Sequence, residues 1–173
     1  MQPTSPSFRP RLATAFLGPL TLAVAAGLLA ACGSKPPPEP PKPIEIAGRF
    51  EATATLNPSV SNRPSPLLVR VYELRSPTVF NRADFMALYQ SDNATLAADL
   101  VAREETMLQP GESRAFTRTL AADTRYIGVV AAYRELERST WRAVVAVERP
   151  AKPGPVKLVI QADARTVTAV VQP

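Results

Sequence analysis

Residues 44–56 read IEIAGRFEATATL, and their alternation predicts a long, half-buried strand. Ile44, Ile46, Phe50, Ala52, Ala54 and Leu56 fall on one face, with Glu45, Arg49, Glu51, Thr53 and Thr55 on the other. Only Ala47 breaks the period of two that a pleated backbone imposes. Asn57-Pro58 ends the run, and residues 57–66, NPSVSNRPSP, are turn chemistry throughout. A second strand, rich in Val and Leu, is expected from Leu67 to Leu74.

Beyond Ser76-Pro77 the period changes. Phe80, Asp84, Phe85, Leu88 and Tyr89 lie at helical spacing, with Asn81 or Asp84 as helix caps, and a second short helical piece is expected over Thr95–Leu100. From Val101 onward short strands recur roughly every 8–12 residues, the pattern of a sandwich. They are expected near Glu104–Leu108, Arg114–Leu120, Tyr126–Arg134, Trp141–Glu148, Val156–Gln161 and Thr166–Val171. The run Ile127 to Ala132 is apolar on both faces, which places it centrally in its sheet. The small Gly128, Ala131 and Ala132 leave room for larger side chains from the facing sheet or the helical segment. The fold class is therefore mainly β, a two-sheet β-sandwich with a small helical insertion around residues 80–100, and the domain runs from 44 to 173.

Upstream of this domain the chain reads as a targeting segment. Arg9 and Arg11 precede an uncharged, Leu- and Ala-rich stretch from Leu12 to Ala31, which closes with Leu29-Ala30-Ala31-Cys32 as a lipobox. Residues 1–31 are expected to be a lipoprotein signal peptide, with Cys32 supplying the thiol that accepts lipid. Residues 32–43 form a linker in which GSKPPPEPPKP carries six prolines in eleven residues. Such a segment favours polyproline II and reaches on the order of 35 Å.

Composition narrows the chemistry. Removing Arg9 and Arg11 from 20 Lys+Arg leaves 18 against 15 Asp+Glu, a net +3 spread along the chain that gives no reason to expect nucleic acid. There is no histidine, so a Ser-His-Asp triad, a Cys-His pair and a His-based zinc site are all excluded. Cys32 is the only cysteine, which excludes an intrachain disulfide. Glu104 and Glu105 are neighbours in a strand and point to opposite faces. Glu135 and Glu137 sit in RELER with Arg134 and Arg138, where a solvated turn with local ion pairs is expected; Arg142 is a further partner for either carboxylate. No enzyme, metal or cofactor is expected. Trp141, the single tryptophan, is expected to anchor the core or a sheet edge.

The connection at 57–66 stands out. A hairpin takes about two to five residues, and this one joins two strands with length to spare. Pro58, Pro64 and Pro66 stiffen it, and Val60, Asn62 and Arg63 stand at its tip. These are an apolar contact, an adaptable hydrogen-bonding group and a charged fork.

LAAC at the anchor, LNP at Leu56–Pro58, RPSPLLVRVYELRSPTVFNRADFMALY at Arg63–Tyr89, LQPG at Leu108–Gly111 and IGVVAAYRELERSTWR at Ile127–Arg142 together resemble the TssJ family, the outer-membrane lipoproteins of type VI secretion systems. The resemblance implies a transthyretin-like sandwich with a structural role. It implies lipid anchoring through Cys32 to the outer membrane, with the domain facing the periplasm. The implied partner is the periplasmic domain of the inner-membrane protein TssM, and through it TssL. In the family the loop between the first two strands contributes to that contact, which maps here onto Ser59, Val60, Ser61, Asn62 and Arg63. Gly33 follows Cys32 where Asp would signal inner-membrane retention. A different class of function, binding of a small apolar ligand or glycan near Trp141, would call for converging aromatic residues. Aromatics make up 6% of the chain.

Overall fold

A computed structural model describes residues 42–150 and 154–172. The expected signal peptide, Cys32 and nearly all of the proline-rich linker lie outside these residues. The described chain forms eight strands: β1 (Ile44–Ala52), β2 (Leu67–Leu74), β3 (Leu100–Leu108), β4 (Ser113–Leu120), β5 (Tyr126–Ala131), β6 (Arg142–Ala146), β7 (Val156–Ala162) and β8 (Val167–Gln172). Three short helices, α1 (Thr78–Arg82), α2 (Phe85–Gln90) and α3 (Asp92–Leu96), lie between β2 and β3.

The strands build two four-stranded sheets, ordered β4-β1-β7-β8 and β3-β2-β5-β6. In the first, β1 is antiparallel to β4, with Ile44 opposite Leu120 and Gly48 opposite Phe116, and parallel to β7. In the second, β2 is flanked by antiparallel β3 and β5. Ile44, Ile46 and Phe50 from β1 meet Leu67, Val69 and Val71 from β2 and Leu158 and Ile160 from β7 in one core. Leaving water on both sides is what drives the two sheets together.

The first two strands thus lie in opposite sheets, which corrects the hairpin expectation. Part of the ten-residue length is used in crossing about 10 Å between layers. Strand β1 also stops at Ala52 rather than Leu56. Leu56 donates its N–H to the Thr53 carbonyl at 3.1 Å, closing a turn that delivers a fully buried Leu56 without extended backbone. The alternation survives into this turn because Leu56 must still reach the core.

On the outer face of the second sheet, Tyr72, Leu74 and Val130 pack against Phe80, Leu88 and Leu96 of the helices, a second and smaller core. The helical insertion covers one side of a sheet, as expected. A Cβ at Gly128 would stand 2.8 Å from the Phe80 ring, so the absent side chain is what admits the helices. The helical stripe is divided: Asp84 caps α2 by accepting from the Ala87 N–H at 2.8 Å, and α1 ends before it. The next helix spans Asp92–Leu96 with a 3₁₀ turn at Ala97–Asp99, earlier than expected, and β3 accordingly starts at Leu100.

Polar contacts fasten this layer. Asp92, buried under α3, accepts from Arg103 at 2.5 Å and from the Tyr72 hydroxyl at 3.3 Å; Tyr72 also lies 3.0 Å from the Leu88 carbonyl. Arg70 binds Glu105 at 2.6 Å and the Tyr89 carbonyl at 2.6 Å, with its guanidinium over the Tyr89 ring. Glu104 faces the other way and pairs with Arg118 of the first sheet. The two adjacent glutamates therefore serve opposite faces.

Burial pushes the Tyr72 hydroxyl up to about 12, the Asp92 charge adding to the effect while Arg70 opposes it. A tyrosine in the unfolded chain ionises near about 10. The folded state therefore holds this proton more tightly, and its contribution is complete below about pH 10 and lost as pH rises through about 12. Unfolding free energy over this window should fall by on the order of 2 kcal/mol more in the native protein than in Tyr72→Phe. Urea titrations at pH 9, 10, 11 and 12 check this, and parallel pH profiles would contradict it.

Candidate functional site

The strands give the sandwich two distinct ends. Ile44, Leu120, Leu74, Tyr126 and Val156 mark one, and Ala52, Ser113, Leu67, Ala131 and Ala162 mark the other. The chain enters from Lys42 at the first end, where the Lys42 carbonyl accepts from Arg149. The 57–66 connection lies at the second, displaced by the length of β1, about 26 Å at about 3.3 Å per residue.

The connection is a closed loop with its own hydrogen bonds. At its base Ser65 N–H reaches the Leu56 carbonyl at 3.0 Å. At its tip Ser59 N–H donates to the Arg63 carbonyl and Asn62 N–H to the Ser59 carbonyl, each at 2.9 Å. The Ser59 hydroxyl accepts from the Arg63 N–H at 3.3 Å and lies 3.0 Å from the Ser61 hydroxyl. Asn62 takes φ +58, a left-handed conformation that Asn tolerates better than most residues. The structure thus brings all five sequence-selected residues into one turn and separates their roles. Ser59 and Ser61 spend their hydroxyls inside the loop. Val60, at 95% exposure, projects from it, and Asn62 and Arg63 are exposed beside it.

Asn57 fixes the loop to the body. It is buried at φ +44; its side-chain amide donates to the Pro66 carbonyl at 2.8 Å, and its amide oxygen accepts from the Arg134 N–H at 2.9 Å. One side chain closes the loop and clips it to the turn after β5. Sequence reading took Asn57 only as a strand terminator. Asn tolerates a positive φ better than most residues, but its partner 77 residues away is a tertiary fact.

The neighbouring turn departs from expectation in its ion pairs. Glu135 pairs with Arg165 at 2.9 Å, not with Arg134, Arg138 or Arg142. Arg142 instead donates to the carbonyls of Phe80 at 2.7 Å and Ala83 at 2.9 Å, satisfying groups at the C-terminal end of α1. The register of β6, with Arg142 opposite Val130, aims it at the helical layer. Trp141 packs against both cores, edge-on to Phe85 at 5.4 Å and under the Arg142 guanidinium at 4.8 Å, so it anchors as expected. Tyr133, just before the turn, is buried, and that burial raises the pKa of its hydroxyl. Among the described residues no cluster of carboxylates has the makings of a metal site, and no helix is long and apolar enough to cross a membrane.

The model of the family described as "Type VI secretion lipoprotein, VasD, EvfM, TssJ, VC_A0113" matches residues 45–165. Among solved structures, the T6SS lipoprotein TssJ1 from Pseudomonas aeruginosa is 40% identical with a TM-score of 0.70, covering 76% of this chain and 98% of that one. Serratia marcescens Lip, a membrane bound component of the type VI secretion system, is 28% identical with a TM-score of 0.67, covering 73% and 96%. A chain in a structure described as the T6SS protein TssM C-terminal domain (869–1107) from EAEC is 26% identical with a TM-score of 0.59, covering 75% and 98%. No curated protein gives a significant match.

The double role of Asn57 yields an expectation. Asn57→Ala removes both hydrogen bonds and forces alanine to φ +44, which should cost about 3 kcal/mol. Asn57→Gly loses the same bonds without the steric penalty and should cost about 1 kcal/mol less. Guanidinium denaturation midpoints rank the two variants, and a neutral Asn57→Ala would remove Asn57 from its place as clip.

Proposed function

Because this chain belongs to the type VI secretion lipoprotein family, we propose that it tethers the periplasmic domain of an inner-membrane TssM protein to the outer membrane. Lipid on Cys32 would provide the anchor, and the turn Ser59–Arg63 would provide the grip. TssL would join the assembly indirectly, through TssM. The observation that carries this reading is Val60. A valine at 95% exposure, on a turn whose backbone is fixed by its own hydrogen bonds, loses little conformational entropy on docking and gains by leaving water.

The geometry of the ends supports the same reading. The chain enters the domain at the Ile44 end, and the 57–66 loop lies at the opposite end of the sandwich. The proline-rich linker adds reach. The EAEC structure lends further support, since its description names the TssM C-terminal domain and a chain in it is 26% identical to this one. Triacylation of Cys32 would make attachment effectively permanent, since one chain alone holds only reversibly.

Two variants test the grip in the full lipidated chain. Deletion of residues 59–62 and the point substitution Val60→Asp should each leave thermal unfolding cooperative, localisation unchanged, and co-purification with a TssM periplasmic domain reduced at least tenfold. Undiminished binding in both would move the interface elsewhere and end the assignment of Ser59–Arg63.

A further inference from the structure

The 57–66 loop does not stand alone at its end of the sandwich. The Asn57 amide oxygen holds the Arg134 N–H at 2.9 Å, so the loop and the 134–138 turn form one continuous body. That turn is itself set: Arg138 N–H reaches the Glu135 carbonyl at 3.0 Å, Ser139 N–H the Leu136 carbonyl at 3.2 Å, and residues 134–138 line a shallow concavity. The Glu135 carboxylate is taken up by Arg165.

These two segments together carry an excess of positive charge besides the exposed Val60. Arg63, Arg134 and Arg138 are exposed, and none forms an ion pair among the described residues, whereas Glu137 is the one exposed carboxylate in the two segments. Elsewhere in the domain most arginines are engaged, among them Arg70 with Glu105, Arg75 with Asp123, Arg103 with Asp92, Arg118 with Glu104, and Arg142 with helix carbonyls, while Arg82 in α1 is exposed without an ion pair among the described residues. Arg63, Arg134 and Arg138 thus put three unpaired guanidinium groups on the two segments joined through Asn57.

We propose that the 134–138 turn is the second half of the partner-binding surface, and that Arg63, Arg134 and Arg138 select an acidic face on the protein that receives Val60. This inference rests on the tethering reading above and adds to it a second contact element and the charge of the partner. Guanidinium groups at a rim pair with carboxylates through fork-shaped hydrogen bonds and steer encounter. Val60 then supplies the desolvated centre. Arg134 is held through its backbone, so its side chain is free to engage the partner without disturbing the loop.

Binding of the full lipidated chain in detergent to a TssM periplasmic domain tests this, measured at low and high salt for four forms. These are the native protein, Arg134→Glu/Arg138→Glu, Arg134→Lys/Arg138→Lys, and the 59–62 deletion, each checked for cooperative unfolding. Native affinity should fall as salt rises. The glutamate pair should bind at least tenfold more weakly at low salt with little remaining salt dependence, while the lysine pair stays within threefold of native. Native-like affinity and salt dependence in the glutamate pair, with binding lost in the deletion, would overturn the two-part surface and leave the loop as sole contact. Native-like binding of the deletion would overturn the tethering loop itself.

Discussion

The opposition of β1 and β2 across the sandwich is the constraint on which everything else depends. The apolar faces of both strands share one core, with Ile46 and Phe50 on one side and Val69 and Val71 on the other. Because they lie in different sheets, the chain between them has to cross at the end of the sandwich. That crossing point is where Leu56 plunges into the core and Asn57 takes its left-handed turn. The loop is therefore held near both feet by the buried Asn57 and Ser65, and residues 60–64 between them are exposed.

A second consequence of β1 is direction. It sits between β4 and β7, antiparallel to one and parallel to the other, so it is among the strands most firmly fixed by pairing. It links the linker-proximal end to the loop end as a strut about 26 Å long. Pull applied between a lipid anchor and a partner on the loop would run along this strut and load its ladders in shear, with many hydrogen bonds sharing the force. The helical layer, held on the far face by Asp92, Arg103 and the space left at Gly128, stays out of that line.

Much of this was legible in the sequence, for physical reasons that differ by element. Strand β2 was placed at its observed ends because turn residues bound it on both sides, Pro66 before and Ser76-Pro77 after. Asp84 was legible as a cap because its short carboxylate serves a helix start. Periodicity, however, reports which face a residue occupies and not which sheet it joins, so the pattern left β1 and β2 looking like a hairpin. It also carried β1 through the turn at Thr53–Leu56, where burial of Leu56 preserves the alternation after the strand has ended. The partners of Asn57, Arg142 and Glu135 were out of reach because each contact spans 30 or more residues. The loop residues are legible from family resemblance and turn chemistry together. The structure adds that Ser59 and Ser61 are internal to the turn and Val60 is its outward face.

The most direct test of the proposed grip is amide hydrogen exchange of the full lipidated chain, with and without a TssM periplasmic domain. The account predicts new protection at residues 57–66 together with 132–140, and none at the Ile44 end or in α1–α3. Protection centred on the helical layer or on β8, with 57–66 unchanged, would contradict it.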